Sequence, residues 1–268
     1  MRLGSALRLL CLASICIPVA LANAATPVEL RRSFSLGATP QVEVSGVAGA
    51  ITVVGKAQSQ IELRAVKHGD DQQRVNIEIK TEGDRLEVRT RCPDPRGPDH
   101  WDGCGRVRVE YHLEVPRGTR LHCANVSGSL KVTEVQGAAH LKTVSGALSV
   151  ERVGAVPLHL SSVSGAISAR GATGELHASA VSGTIELWRP AGARGDVRAS
   201  TVSGPVRIHV DRGADATLHF STVSGALSSA LPLHDESRTR SRLKATLGHG
   251  GPSLHASTVS GSVQVLPL

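Results

Sequence analysis

The tripeptide Val-Ser-Gly constrains this chain more than any other feature, because it recurs along most of the sequence. Its eight copies begin at Val44, Val126, Val144, Val163, Val181, Val202, Val223 and Val259. From Val126 onward the steps are 18, 19, 18, 21, 21 and 36 residues, so the last step is about twice the others. A period of roughly 20 residues is too short for an independent domain and is typical of stacked repeats. A surface or binding protein is therefore favoured over an enzyme.

Alignment of the repeats on this valine shows columns of apolar residues five and three positions before it and four positions after it. The column three positions before the valine contains Cys123, Leu141, Leu160, Ala178, Ala199, Phe220 and Ala256. Polar columns separate the apolar ones, and this period of two predicts a pair of short half-buried strands in each repeat. The glycine between the two strands allows the backbone to bend there.

One repeat cannot bury its apolar face alone, whereas repeats stacked about 4.8 Å apart form a continuous core. We therefore expect an all-β fold, a β-helix or β-solenoid with rungs of 18–21 residues, over residues 119–268. Residues 25–118 alternate in longer segments and predict an N-terminal β entry or cap that continues into the same domain. The 36-residue interval between Val223 and Val259 predicts either a degenerate rung or a protruding hairpin.

The N-terminal residues have the pattern of a secretory signal peptide, which we assign to residues 1–24. A basic start is followed by an apolar run over residues 9–21 and an Ala-Asn-Ala cleavage site at 22–24. The run is too short to span a membrane. Cys11 and Cys16 follow large residues, so we do not expect lipidation. The sequence thus predicts a soluble periplasmic or secreted chain without a transmembrane segment.

The basic charge of the chain either serves only its solubility or favours acidic partners. Removal of Arg2 and Arg8 with the signal peptide changes the net charge from +7 to +5. Outside the cytoplasm, a basic chain meets anionic glycans and other cell-envelope components rather than nucleic acid.

Three cysteines remain after residues 1–24, in an oxidising compartment. Cys92 and Cys104 bracket a stretch of turn-forming residues and are predicted to form a disulfide. Cys123 lies in an apolar column and is predicted to be a buried free thiol. The bracketed loop is interpreted as an ordered surface loop, or as a site for a sugar or a cation. Its polar and aromatic residues are Asp94, Asp99, His100, Trp101 and Asp102.

A histidine column lies four positions before the valine. Its members are His122, His140, His159, His177, Arg198, His219 and His255. Stacked strands would place these side chains on one outward face, about 5 Å apart. The column is either a product of repeat duplication without a ligand, or a stripe that binds anions or Zn²⁺, Ni²⁺ or Cu²⁺. A straight row lacks converging ligands, so any metal binding would be weak, and we predict no cofactor.

A second candidate site is a run of alternating cations, Arg238, Arg240, Arg242 and Lys244. On one extended strand, all four would point the same way and could bind phosphate or sulfate groups. The alternative is a solvated loop. We assign no catalytic residue, because the tripeptide serines lie in no Gly-x-Ser-x-Gly elbow and the chain has no Walker loop or His-Glu-x-x-His motif.

The order of four motifs resembles a bacterial exported putative-adhesin domain family of unknown function. They are Gly-Ala-Ile-Thr-Val-Val-Gly at 49–55, Val-Pro-Arg-Gly at 115–118, Thr-Val-Ser-Gly at 143–146 with its copies, and a Gly-rich turn and strand over 248–261. The resemblance implies a right-handed, single-stranded β-helix without known catalytic residues. It gives no role to the histidines or to the cysteine-bracketed loop.

These observations favour a non-enzymatic exported β-solenoid that acts as an adhesin, an envelope scaffold or a binding protein. One alternative is a polysaccharide-active β-helix enzyme, although the outward columns lack the stacked carboxylates that such chemistry needs. Another is a periplasmic metal-binding protein that uses the histidine column.

Overall fold

The computed structural model describes residues 27–70, 72–92 and 106–268. The predicted signal peptide, Cys104 and the loop before it lie outside the described residues, so the Cys92–Cys104 disulfide stays a prediction. Within the described ranges the chain forms β-strands and one short 3-10 turn, Gln72–Arg74, without an α-helix.

The strands that precede the regular series of repeats are β1 (Val28–Ser35), β2 (Gln41–Ala48), β3 (Ile51–Lys56), β4 (Gln60–His68), β5 (Asn76–Glu82), β6 (Arg85–Arg91) and β7 (Arg108–Pro116). The strands of the repeats are β8 (Arg120–Ser127), β9 (Leu130–Thr133), β10 (Ala139–Ser145), β11 (Leu148–Glu151), β12 (Leu158–Ser164), β13 (Ile167–Arg170), β14 (Leu176–Ser182), β15 (Ile185–Arg189), β16 (Val197–Ser203), β17 (Val206–Val210), β18 (Ala216–Ser224), β19 (Leu227–Ser229), β20 (His234–Arg238), β21 (Arg242–Leu247), β22 (Ser253–Ser260) and β23 (Val263–Pro267).

Two large sheets, called sheet A and sheet B, contain these strands. Sheet A has 11 strands in the order β1-β4-β7-β3-β9-β11-β13-β15-β17-β23-β19. Sheet B has 12 strands in the order β20-β21-β18-β22-β16-β14-β12-β10-β8-β2-β6-β5. Each tripeptide repeat contributes its first strand to sheet B and its second strand to sheet A. Neighbouring repeats pair in parallel, which confirms the predicted all-β, solenoid-like stack.

The core lies between the two sheets and consists of the predicted apolar columns. Leu141, for example, pairs in register with Cys123 on one side and Leu160 on the other, and all three side chains are buried. Cys123 is a free cysteine with no exposed surface, as predicted. Because the strands alternate inward and outward residues, each apolar column becomes a continuous ladder in this core.

The rungs do not stack in sequence order. Strands β22 and β23 lie between the rung β16–β17 and the rung β18–β19, so the last repeat of the sequence is the second last of the stack. At the other end, β2 and β3 lie between β6 and β7 on one side and β8 and β9 on the other. Both ends of the stack therefore contain an intercalated rung.

The segment between the last two copies of the tripeptide is a hairpin, but it extends sheet B instead of protruding as the predicted alternative had it. Strands β20 and β21 pair antiparallel, and β21 also pairs antiparallel with β18. At the opposite end of the stack, β1, β4 and β7 are antiparallel in sheet A, and β5 is antiparallel to β6 in sheet B. The antiparallel pairs thus lie outside the parallel rungs.

The copy of the tripeptide at Val44 is not a corner. Val44 lies inside β2, where it is buried and aligned with Cys123. The corner of this rung is at Gly49 instead, against which Gly128 of the next rung packs. In the aligned rungs, the first copy of the tripeptide therefore lies three residues before the position that the other seven copies occupy.

Candidate functional site

The outward face of sheet B carries a row of polar side chains, here called the histidine row. In stack order, its members on nine neighbouring strands are Glu43, His122, His140, His159, His177, Arg198, His255, His219 and Lys244. The structure thus brings all six predicted histidines into register. The expected order is wrong for the last two, because the intercalated rung places His255 before His219.

The rings of the histidine row are stacked side by side. The centroids of His122 and His140 are 5.6 Å apart, and those of His140 and His159 are 4.5 Å apart, with nearly parallel planes. His159 and His177 meet edge to face at 4.9 Å. Across the described part of the chain, no group of three or more His, Cys, Asp or Glu side chains is placed to hold a metal ion. The geometry therefore offers a line of single contacts rather than a converging ligand set.

The packing of the histidine row affects the charge state of His140. Partial burial lowers the pKa of His140, and the neighbouring His159, His122 and Lys142 lower it further. A cation close to an imidazole makes its protonation less favourable. The neutral form of His140 is therefore favoured over a wider range of pH than in an isolated histidine.

The two ends of the histidine row differ in their partners. Partial burial raises the pKa of Glu43, but a hydrogen bond from Arg85 and the charges of Arg85, Arg89 and His122 more than offset this, so the pKa is lowered overall. Arg85 lies 2.5 Å and Arg89 lies 3.4 Å from the Glu43 carboxylate. The other end finishes at Lys244, whose side chain is exposed. The acidic end is therefore neutralised within the chain, whereas the other end remains cationic.

A second outward column runs beside the histidine row, two residues closer to the corner. In stack order it contains Ala124, Lys142, Ser161, Ser179, Ser200, Ser257, Ser221 and Arg242. Beyond it, the valines of the seven later tripeptides are exposed, from 42% for Val126 to 78% for Val223. The face thus combines imidazoles and hydroxyls with a cation near each end and an apolar edge.

The four predicted anion-binding cations do not share one strand, so the expected single-strand arrangement is wrong, whereas anion binding by these residues stays a prediction. Arg238 ends β20, Arg240 lies in the turn of the hairpin, and Arg242 and Lys244 belong to β21. The Arg238 guanidinium donates a hydrogen bond to the carbonyl oxygen of Leu227. Only Arg242 and Lys244 extend the outward face of sheet B, because the chain reverses between them and Arg238.

The outward face of sheet A contains an aromatic stack that the sequence reasoning missed. The guanidinium carbon of Arg170 lies 3.6 Å from the centroid of the Trp188 ring. His209, on the next strand, stacks on Trp188 with centroids 4.9 Å apart, and its Nε2 is 3.0 Å from Glu186 Oε1. Arg170 and His209 come from the strands on either side of Trp188. Both faces of the indole are thus occupied by this chain, so it is not an open platform for a sugar.

The chain is similar to one known domain family and to several solved structures. Residues 105–266 match the Toastrack DUF4097 family, a domain of unknown function. Among solved structures, the chain is similar to a putative cell adhesion protein from Clostridium sporogenes, with 7% identity, coverage of 91% of this chain and 100% of the other, and a TM-score of 0.41. A putative adhesin from Bacteroides fragilis gives 10% identity, 89% and 97% coverage, and a TM-score of 0.37.

A putative lipid binding protein from Parabacteroides distasonis is similar at 10% identity, with 89% and 96% coverage and a TM-score of 0.39. No curated protein matches the chain significantly. The part of the chain that the structure describes contains no candidate membrane-spanning helix.

Proposed function

The chain belongs to the Toastrack DUF4097 family, and from this premise we propose that it is a non-enzymatic, exported binding protein of the cell envelope. We assign binding to the outward face of sheet B and an extended anionic glycan, or a similar envelope polymer, as its partner. Export rests on the pattern of residues 1–24 and remains a prediction from sequence.

The observation that carries this proposal is the register of the histidine row. Six imidazoles lie on one outward face together with Arg198 and Lys244, and hydroxyl groups lie beside them. Nine strands at about 4.8 Å spacing give the row a length of roughly 38 Å. A row of this length suits a polymer with repeated anionic groups better than a single small ion.

An enzymatic role has less support. The adjacent outward carboxylates of Glu43 and Glu87 are both ion-paired, with Arg85 and Arg89. Glycoside hydrolysis by two carboxylates needs one of them protonated as a general acid, and a lowered pKa at Glu43 opposes this. A metal-binding role has less support too, because the stacked rings do not converge on a point.

The N-terminal region is proposed to cap the stack, in the right-handed arrangement that the family resemblance implies. The antiparallel strands β1, β4 and β5 at this end support the cap, because an open edge of parallel strands would be a template for aggregation.

The decisive experiment measures binding of the chain without residues 1–24 to polygalacturonate and to neutral dextran, at pH 7.5 and pH 5.5 and equal ionic strength. We expect binding to the anionic polymer alone, and tighter binding at pH 5.5 because the imidazoles become cationic. A triple variant, His140→Gln, His159→Gln and His177→Gln, should bind about tenfold more weakly at pH 5.5, taking about 0.5 kcal/mol for each exposed charge contact.

The matched control is the triple variant His112→Gln, His234→Gln and His249→Gln, which removes three histidines outside the row. It should retain the pH dependence of the unmodified chain. Equal binding to dextran, or a pH dependence that is undiminished in the row variant, would contradict the proposal.

A further inference from the structure

A cavity of about 330 Å³ opens at the corner of the stack where the chain leaves sequence order. Its walls come from three connections, residues 190–196 between β15 and β16, 211–215 between β17 and β18, and 248–252 between β21 and β22. The middle connection passes the intercalated rung β22–β23 to reach the rung beyond it. In open α/β sheets, ligands bind where the strand order reverses, because neighbouring connections diverge there, and the same divergence occurs at this corner. We call this cavity the crossover pocket.

The wall of the crossover pocket contains a buried cation. Arg189 is only 4% exposed. Its Nη1 donates hydrogen bonds to the carbonyl oxygens of Ala172 and Gly174 at 2.9 and 3.0 Å, and its Nη2 donates to the carbonyl oxygen of Gly195 at 2.5 Å. A guanidinium has five N–H donors. The described residues therefore leave the Nε–H and one Nη2 hydrogen of Arg189 without an acceptor.

Arg189 also lacks a close counter-charge in the described part of the chain. Burial lowers its pKa, and the only opposing influence is the charge of Asp196. The Asp196 carboxylate forms no ion pair with Arg189, and it accepts a hydrogen bond from the backbone N–H of Ser253 at 2.8 Å. A buried cation with only carbonyl partners is costly in water-free surroundings, and a carboxylate that enters the pocket would reduce this cost.

The other residues that line the crossover pocket indicate which class of anion it can bind. Leu254 and Val210 contribute an apolar floor, and Arg194 adds a second cation. Asp215 also lines the pocket, and the backbone N–H of His249 holds the pKa of its carboxyl below the ordinary value. This negative charge opposes a doubly charged phosphate, and its oxygens can accept hydrogen bonds from hydroxyl groups. The volume is at the lower end of the range of about 300–1,000 Å³ for ligand pockets.

We propose that the crossover pocket binds a small hydroxylated monocarboxylate, of the size and chemistry of one uronic acid unit. Its carboxylate meets the open donors of Arg189, and its hydroxyl groups meet Asp215 and the loop backbone. This site is separate from the histidine row, which lies on the face of sheet B, so either site can exist without the other.

Isothermal titration calorimetry with galacturonate, and with galactose and inorganic phosphate as comparison ligands, tests the proposal. We expect galacturonate to bind at one site per chain, and galactose and phosphate to bind at least about tenfold more weakly. Arg189→Lys keeps the charge but loses the planar fork and should weaken galacturonate binding about tenfold or more.

Two further variants make the test independent of the folding role of Arg189. Ala193→Leu fills the pocket without touching the arginine and should abolish binding while the circular dichroism spectrum is unchanged. Arg212→Gln removes an exposed cation outside the lining and should bind like the unmodified chain. Absence of galacturonate binding at tens of millimolar, equal binding of galactose or phosphate, or undiminished binding by the Ala193→Leu variant would each overturn the proposal.

Discussion

Replacement of Gly146 by alanine tests whether the corner glycines set the spacing of the rungs. Gly146 has a φ of +133°, and a Cβ built on it would lie 2.3 Å from the carbonyl oxygen of Gly128 and 2.7 Å from its carbonyl carbon. The same backbone contact recurs along the stack, from Gly128 on Gly49, Gly165 on Gly146, Gly183 on Gly165, Gly204 on Gly183, Gly261 on Gly204 and Gly225 on Gly261. A methyl group at this position therefore meets backbone that no side-chain rotation can move away.

Two contributions give the size of the effect. A non-glycine residue at a positive φ of this kind costs about 1–3 kcal/mol. Relief of the backbone overlap requires two rungs to separate locally, which resembles the overpacking of a core at about 1–3 kcal/mol. The expected loss of unfolding free energy is thus about 2–6 kcal/mol, a large part of the 5–15 kcal/mol or so that is typical of a whole domain. We expect a folded but clearly weakened chain.

The matched control is Gly154→Ala, at the opposite corner. A Cβ at Gly154 would lie 3.5–3.6 Å from atoms of Gln136, an ordinary contact, and its φ is not in the left-handed region. This variant should be neutral, or more stable by about 0.4–1 kcal/mol because the unfolded chain loses freedom. Urea unfolding followed by far-ultraviolet circular dichroism measures both variants. The reasoning fails if Gly146→Ala lies within about 0.5 kcal/mol of the unmodified chain, or if the two variants are equally destabilised.

Three further measurements test the core and the order of the rungs. Tyr111 is the only tyrosine of the sequence, and burial raises its pKa to about 12 despite its hydrogen bond with Thr90. Absorbance at 295 nm should therefore report ionisation of Tyr111 near pH 12 in the folded chain and near pH 10 in urea. Since the folded chain holds this proton more tightly, stability should fall between these two pH values, and ionisation near pH 10 without urea would contradict the burial. Burial also raises the pKa of the Cys123 thiol to about 12, so iodoacetamide at pH 8 should modify it in urea but not in the folded chain, as read by mass spectrometry. Cysteines introduced at positions 200 and 257, which are adjacent in sheet B, should form a disulfide under oxidation. Cysteines at positions 200 and 221 should not, because two strand spacings of about 4.8 Å exceed the reach of a disulfide. Efficient linkage of the second pair would refute the intercalated order of the rungs.

The sequence predicts well which side chains of each rung are buried and which are exposed, because apolar and polar residues alternate with a period of two within each strand. Cys123 is the clearest case, since its column alone placed it in the core beside Leu141. The tripeptide alone predicts the position of a corner less well, as the copy at Val44 shows. The same three residues lie in the middle of β2 there, because the alternation of the whole strand determines which residues are buried.

The order of the rungs could not be predicted from the repeats. Every copy presents the same columns to its neighbours, so a stack in any order buries the same kinds of side chains. For this reason the histidine row was predicted but its last two members were exchanged. Lys244 was assigned to a different site, because it joins the row from a hairpin that lacks the tripeptide.

The crossover also explains why a cavity forms at this corner. Residues 171–175 connect neighbouring rungs, whereas residues 211–215, also five in number, must rise past the intercalated rung. Five residues can span at most about 17 Å, and the rise of two rungs takes about 10 Å of this. Because the connection spends more of its length on this rise, less is left to fold over the corner and fill the space beside Arg189. The regular repeats thus supply a uniform surface, and the break in their order supplies a recess with a buried charge.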